Sequence, residues 1–171
     1  KTWISNVDKP VQRNEVNMGK LKTLFTIEPL PYQIGYVQEY FTITRCYNFD
    51  GHILTFKPGY GKTFTAVMIA EASKEVDQVI VVCPNTLKEN WANELHQYYR
   101  KYAANEQLWK DEVFVSNNTK FNFVKSKNKW VIVNQESIPT IFDKVKSKNV
   151  MIVVDECQYF RNYETKRSAA L

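Results

Sequence analysis

The residues with the clearest chemical potential form a glycine-rich turn, GYGKT, at residues 59–63. Glycines allow backbone N–H groups to close around phosphate oxygens, and a helix that begins at the turn adds partial positive charge. In such a loop Lys62 would reach the β- and γ-phosphates of a nucleotide, and the Thr63 hydroxyl would bind Mg²⁺. The full phosphate-loop pattern has a glycine where this chain has Phe56. The simpler alternative is a tight glycine turn with an exposed lysine.

A second candidate site is a pair of adjacent carboxylates, Asp155 and Glu156, directly after the apolar run Val150–Val154. Because carboxylates are costly inside a sheet buried on both faces, the pair is expected at the carboxyl end of the strand. There Asp155 would hold Mg²⁺, and Glu156 would orient and deprotonate an attacking water. An apolar run that ends in two acids is weak evidence alone, but a lysine-bearing glycine turn earlier in the chain supports it.

The elements that would position these residues are short apolar runs that alternate with helical patterns. Strands are predicted at 51–56, Gln78–Cys83, Val113–Val115, 130–133 and Val150–Val154. Helices are predicted for about three turns from Pro31, over 63–74, from Leu87 through Tyr98, and over 138–145. Continuous rather than alternating hydrophobicity predicts an α/β fold with a parallel sheet covered by helices on both faces. Ligands are then expected just after Phe56, Cys83, Val133 and Val154.

Length and composition fit one soluble domain. The 171 residues are 44% hydrophobic and 24% charged, which excludes collagen-like, low-complexity and wholly disordered classes. No run approaches the roughly 18 apolar residues of a membrane span, so no membrane partner is expected. The polar segment 1–23 has scattered single hydrophobics and is predicted to be an N-terminal arm, with 24–171 as a single lobe.

Cysteine and charge content set further bounds. Cys46, Cys83 and Cys157 are odd in number and in no CxxC pair, so neither a disulfide framework nor a zinc site is predicted. An intracellular, reducing compartment is expected, with nucleus and cytoplasm not distinguished. The net charge of +5 is compatible with a polyanionic partner but is common among ordinary proteins.

Taken in order, the motifs resemble the first RecA-like, DEAD-like ATP-binding lobe of superfamily-two helicases and translocases, closest to the Swi/Snf group. The resemblance covers most of 24–171. It rests on a glutamine motif, Leu30-Pro31-Tyr32-Gln33, and on the glycine turn. It continues through CPNTL at 83–87 with Asn90-Trp91, VIVNQES at 131–137, and an acidic box, DECQ, at 155–158 with a basic extension from Arg161.

The resemblance implies a role for individual residues. Gln33 would read the adenine edge of ATP, and Lys62 and Glu156 would be catalytic. Nucleotide binding is implied for Gly59, Tyr60, Gly61, Lys62 and Thr63, although Tyr60 has the alternative of filling space above the strand. Mg²⁺ binding is implied for Thr63 and Asp155, and nucleic-acid contact for Pro84, Asn85, Thr86, Lys88, Asn134 and Arg161. Gln158 stands where the group usually has a histidine and would couple phosphate state to nucleic acid.

The resemblance therefore implies an ATP-dependent motor lobe that moves along nucleic acid, with duplex DNA preferred. The chain is expected to end before motif III and the second RecA-like lobe, so the fragment alone should bind nucleotide but hydrolyse it feebly. A larger protein complex is a further expected partner. The alternatives are a nucleotide-gated docking or assembly module with little turnover, and a P-loop kinase or GTPase, which the lack of an NKxD motif disfavours. Trp91 is expected to pack in the core rather than stack on bases.

Overall fold

The structure is a computed structural model that describes residues 16–47, 51–116, 128–137 and 149–160 of the chain. The chain divides into two compact units, Lys1–Ala72 and Ser73–Leu171. The helix predicted over 138–145 and the predicted contact residue Arg161 lie outside the described residues. None of the described helices combines the length and apolar character needed to cross a bilayer.

The described part of the first unit contains three helices, α1 (Met18–Leu24), α2 (Pro31–Tyr47) and α3 (Lys62–Ala72). The Asn17 side chain caps α1 by accepting the Lys20 N–H at 2.9 Å. Leu21 and Phe25 are buried, and the Phe25 ring meets the Phe64 ring of α3 edge-on at 5.0 Å. The last residues of the predicted N-terminal arm are therefore helical. The division into an arm at 1–23 and a lobe at 24–171 stays a prediction.

Helix α2 is longer than the three turns expected, because it extends over 17 residues. Pro31 occupies its first position, where the fixed φ of proline favours helix and no N–H partner is needed. Among the α2 side chains whose burial is described, the apolar residues Val37 and Phe41, one helical turn apart, are buried. This spacing turns one face of α2 inward.

The strand predicted at 51–56 is wrong, since these residues form no strand and are mostly exposed, with Ile53 at 72%. Contacts with α2 take the place of sheet neighbours. The Phe56 ring packs edge-on against Tyr36 at 5.0 Å and Tyr32 at 5.6 Å, and the Tyr36 hydroxyl donates to the Ile53 carbonyl at 3.2 Å. Aromatic packing and this hydrogen bond hold the segment in an irregular conformation.

The second unit is built on a parallel sheet. Its strands are β1 (Gln78–Cys83), β2 (Val113–Val115), β3 (Trp130–Asn134) and β4 (Val150–Val154), in the order β2-β3-β1-β4. All pairs are parallel, with Val81 opposite both Ile132 and Val153. The predicted α/β fold with a parallel sheet is confirmed, and the central strand β1 is buried along its whole length.

Helices α4 (Lys88–Tyr98), α5 (Arg100–Ala104) and α6 (Glu106–Glu112) follow β1 along the chain. Helix α4 packs against β3 and β2 through a stripe of buried residues, Trp91, Ala92 and Leu95. Full burial of a side chain such as Leu95 stabilises the fold by about 2 kcal/mol. The sheet thus holds the start of α4 at the carboxyl end of β1.

Candidate functional site

The predicted nucleotide residues are divided between the units. Gln33 and the turn at 59–63 belong to the first unit, and Asp155 and Glu156 belong to the second. Within the turn, Gly59 has φ +80° and Gly61 has φ +67°. Both values lie in the left-handed region that glycine adopts without steric strain. The glycines are therefore required by the backbone of the turn.

Lys62 is the first residue of α3, which carries no acidic residue in its first turn. Its Nζ donates to the Phe56 carbonyl at 3.1 Å. An ammonium has three N–H donors, so this one bond does not exhaust its capacity for phosphate. Thr63, the next residue, is half-buried. The helix terminus and the lysine together provide positive charge, and the turn residues fit a phosphate group.

Gln33 contacts the glycine turn directly. Its side chain is 4% exposed, its Oε1 accepts the Leu30 N–H at 2.9 Å, and its Nε2 donates to the Gly61 carbonyl at 3.4 Å. The sequence placed these two residues in separate motifs, and the structure brings them together. Tyr60 is 51% exposed, and its carbonyl accepts the Tyr32 hydroxyl at 3.1 Å. With no strand at 51–56, its predicted alternative role above a strand is wrong.

Asp155 is fixed at the carboxyl end of β4 by three hydrogen bonds. Its backbone N–H donates to the Val82 carbonyl at 2.8 Å. Its Oδ1 accepts the Glu156 N–H at 2.9 Å, and its Oδ2 accepts the Trp91 indole Nε1–H at 2.9 Å. The half-buried carboxylate therefore has one donor on each oxygen.

Glu156 has the opposite character. Its side chain is exposed, and its φ of +56° is in the left-handed region that non-glycine residues rarely adopt. The Gln158 Nε2 donates to Glu156 Oε2. The structure thus joins the predicted base and the predicted coupling residue through their side chains.

The carboxyl ends of β1 and β3 form one polar edge. Cys83 pairs with Asn134, so the turn that begins at Pro84 lies beside the turn that follows Asn134. The first turn is a 3₁₀ helix, Asn85–Leu87, in which Asn85 and Thr86 are exposed. The Asn134 Oδ1 accepts the Ser137 hydroxyl. Four of the predicted nucleic-acid residues therefore lie together.

Lys88 does not share this exposure. It is only 7% exposed, and its Nζ donates to the Ser116 carbonyl. Because its ammonium faces the interior, we leave Lys88 out of the proposed nucleic-acid contacts. The buried position follows from the start of α4, which turns this side chain toward the end of β2.

The thiol of Cys83 lies beneath this edge. Burial, and to a lesser extent the negative charge of Asp155, raise the pKa of Cys83 to about 12, with Lys88 acting in the opposite direction. The thiol therefore stays protonated at neutral pH and is chemically inert there. Cys157, the other free cysteine among the described residues, is exposed.

The donor chemistry of the acidic box fits Mg²⁺. Within the described ranges, no three His, Cys, Asp or Glu side chains come together as a metal cage. Asp155 and Glu156 instead offer carboxylate oxygens alone. Mg²⁺ is usually bound by one or two carboxylates together with water and substrate phosphates, so the Asp155 carboxylate matches its preference.

Trp91 is the functional candidate that sequence reasoning missed. Its core position is confirmed by an exposure of 4%, but its bond to Asp155 was not predicted. The available signal was that a buried tryptophan N–H usually needs an acceptor. That rule does not identify the acceptor.

Comparison with known proteins identifies the family. A family model described as the SNF2-related domain matches residues 32–171. A solved structure, the Sulfolobus solfataricus SWI2/SNF2 ATPase core in complex with dsDNA, is similar with a TM-score of 0.66 and 22% identity. The match covers 85% of this chain but only 30% of that one, and at this identity it shows the fold alone. No curated protein matches the chain. Because the family model covers most of its length, the chain belongs to the SNF2-related domain family and has the fold of its RecA-like first ATPase lobe.

Proposed function

We propose that this chain binds Mg²⁺ and ATP as the first lobe of a translocase that hydrolyses ATP to move along double-stranded DNA. The observation that carries the proposal is the glycine turn. Two glycines with positive φ lie in the turn that leads into an 11-residue helix whose first residue is Lys62. This arrangement of a glycine turn, a helix N-terminus and a lysine is what phosphate binding requires.

The first unit would bind the nucleotide. The Lys62 ammonium and the N-terminus of α3 neutralise the phosphates, and the Thr63 hydroxyl contributes to metal binding. Gln33 reads the adenine edge through its amide. Because the same amide donates to the Gly61 carbonyl at 3.4 Å, base recognition and the shape of the turn depend on one side chain.

The acidic box would supply the chemistry of hydrolysis. Asp155 binds Mg²⁺, which when present neutralises charge that develops on the phosphates. Glu156, whose side chain is exposed, would accept the proton of the attacking water. The Gln158 amide donates to the Glu156 carboxylate. Gln158 would couple hydrolysis to nucleic acid by changing the orientation of this carboxylate.

Double-stranded DNA is the proposed track, supported by the dsDNA in the similar archaeal structure. The exposed side chains of Asn85 and Thr86 and the half-buried Asn134 amide would contact backbone phosphates, together with Pro84 in the first of these turns. Contacts of this kind position a protein on DNA without reading its sequence, as a translocase requires. A second RecA-like lobe is the proposed partner in hydrolysis, since the chain matches only 30% of that structure's length.

Nucleotide titration tests the phosphate loop. A fluorescent ATP analogue with Mg²⁺ is titrated against the chain, against Lys62→Ala, and against Lys57→Ala, in which an exposed lysine of the same segment is removed. Loss of a charge-assisted hydrogen bond network predicts about a 10- to 100-fold weaker affinity for Lys62→Ala. Lys57→Ala should bind like the unchanged chain. Equal affinities for all three would contradict the proposed loop.

Hydrolysis in the full-length protein separates the motor from a nucleotide-gated docking module. A motor predicts that duplex DNA stimulates ATP hydrolysis and that Glu156→Gln keeps nucleotide binding but loses turnover. A docking module predicts nucleotide binding with no stimulation by DNA. Asp155 and Lys62 substitutions should abolish stimulated hydrolysis in the motor.

A further inference from the structure

An indole links helix α4 to the acidic box. Trp91, the fourth residue of α4, donates its Nε1–H to Asp155 Oδ2 at 2.9 Å, across 64 residues of sequence. Tryptophan is a donor only, so this bond has a fixed direction. It therefore acts on the carboxylate as a permanent, uncharged donor.

The indole is itself held firmly. Its side chain is 4% exposed, and Ala92 and Leu95 on the same face of α4 are also buried. The helix packs against β3 and β2. A donor locked by such packing sets the direction of the group it contacts.

The bond to Trp91 completes the restraint on the carboxylate. The Glu156 N–H occupies Oδ1 at 2.9 Å and the indole occupies Oδ2, so the plane of the carboxylate is fixed from two sides. Each carboxylate oxygen carries two lone pairs, and one on each oxygen remains for a cation or a bound water.

We propose that Trp91 is a positioning residue for the magnesium site, where its indole orients the Asp155 carboxylate toward Mg²⁺ carried by ATP. This inference rests on the proposed function and adds to it a residue outside the acidic box. Donors behind a ligating carboxylate typically change metal affinity by about 10- to 100-fold when removed. Trp91→Phe keeps an aromatic ring in the core and removes only the donor.

The test separates the metal-dependent part of binding from the rest. Affinity of the full-length protein for a fluorescent ATP analogue is measured with Mg²⁺ and again with EDTA, and the ratio of the two gives the enhancement by Mg²⁺. For Trp91→Phe the enhancement should fall about 10-fold while the affinity in EDTA stays the same. A purely structural role would weaken both affinities alike and would overturn the inference, as would an unchanged enhancement.

Two control variants show whether a negative result contradicts the role of Trp91 or the metal role of Asp155. Trp109→Phe removes an indole whose ring contacts His96 and Tyr102, and it should leave the enhancement unchanged. Asp155→Asn should remove most of the enhancement. If Asp155→Asn leaves the enhancement intact, the proposed metal role itself is wrong. If Asp155→Asn removes it and Trp91→Phe does not, only the role of Trp91 is wrong.

A measurement without substitution covers the case in which Trp91→Phe does not fold. The indole ¹H–¹⁵N resonance of Trp91, assigned by its contacts with α4 protons, is followed in the unchanged protein. It should shift on addition of ADP with Mg²⁺ but not on addition of ADP with EDTA, while the Trp109 resonance serves as reference. An indole signal that does not respond to the metal would overturn the inference.

Discussion

Replacing Glu156 by glycine is expected to leave the chain more stable than replacing it by alanine. Both substitutions delete the carboxylate and its contact with Gln158, so these losses cancel in the comparison. What differs is the backbone, because Glu156 has φ +56°. Glycine tolerates this conformation, whereas a residue with a Cβ does not.

The magnitude follows from two opposing terms. A residue with a Cβ in the left-handed region lowers the stability of the folded chain by roughly 1–2 kcal/mol. Glycine has more conformational freedom in the unfolded chain, and this lowers the free energy of unfolding by roughly 0.5–1 kcal/mol relative to alanine. Glu156→Gly should therefore exceed Glu156→Ala in free energy of unfolding by about 0.5–1 kcal/mol.

Urea denaturation of the two variants measures the difference. With a urea dependence of about 1–3 kcal/mol per molar, the midpoint of Glu156→Gly should lie about 0.4 M higher. The matched control is Glu89, an exposed residue of α4, where helical backbone should reverse the order and make alanine the more stable by about 1 kcal/mol. An alanine variant at 156 that equals or exceeds the glycine variant would refute the reasoning from backbone strain.

Two further predictions concern the glycine turn and the buried thiol. A Cβ at Gly61 would lie 2.4 Å from Gln33 Nε2, whereas one at Gly59 would meet nothing within 4 Å, and both glycines have positive φ. Gly61→Ala should therefore lower the free energy of unfolding by about 1 kcal/mol more than Gly59→Ala in urea titrations, and the excess should vanish in a Gln33→Ala background. The Cys83 thiol has its pKa raised from 9.0 to about 12, chiefly by burial, so above pH 9 the unfolded chain loses this proton while the folded chain keeps it. Stability should fall as pH rises from 9 toward 12, and urea titrations should show a shallower fall for Cys83→Ala; an equal slope in both proteins would contradict the shifted pKa.

The sheet of the second unit was predictable because its strands carry their own signal. Runs rich in β-branched residues, such as Gln78–Cys83 and Val150–Val154, are suited to strands buried on both faces and occur between helical patterns. Parallel pairing then follows from the intervening helices. The predicted edge at the carboxyl ends of β1, β3 and β4 is accordingly present in the structure.

Two errors in the first unit have physical causes. The apolar run at 51–56 predicts a strand, but Phe56 packs against Tyr32 and Tyr36 of α2, a tertiary contact that periodicity does not encode. Helix α1 is not predicted by the sequence pattern, although Leu21 and Phe25 are one helical turn apart. Two apolar residues are too few to distinguish a helix from an irregular arm, and only the packing against Phe64 makes the difference.

Motifs predicted which residue types stand at the candidate site but not how those residues contact each other. The hydrogen bond from Gln33 to Gly61 joins residues 28 apart, and that from Trp91 to Asp155 joins residues 64 apart. Local patterns carry no information at such separations. The burial of Lys88 was also not predictable from the sequence, since a lysine after a strand is usually exposed.

The two adjacent carboxylates of the acidic box suit the different tasks proposed for them. A metal ligand needs a fixed direction, and Asp155 has it through its bonds to Val82, Trp91 and the Glu156 N–H. A general base must instead reach a water, and Glu156 is exposed on a strained backbone. Strain of this kind persists only where surrounding contacts determine the conformation. The Asp155 Oδ1 bond to the Glu156 N–H is such a contact, so the restraint that orients the proposed metal ligand also holds the proposed base in its left-handed conformation.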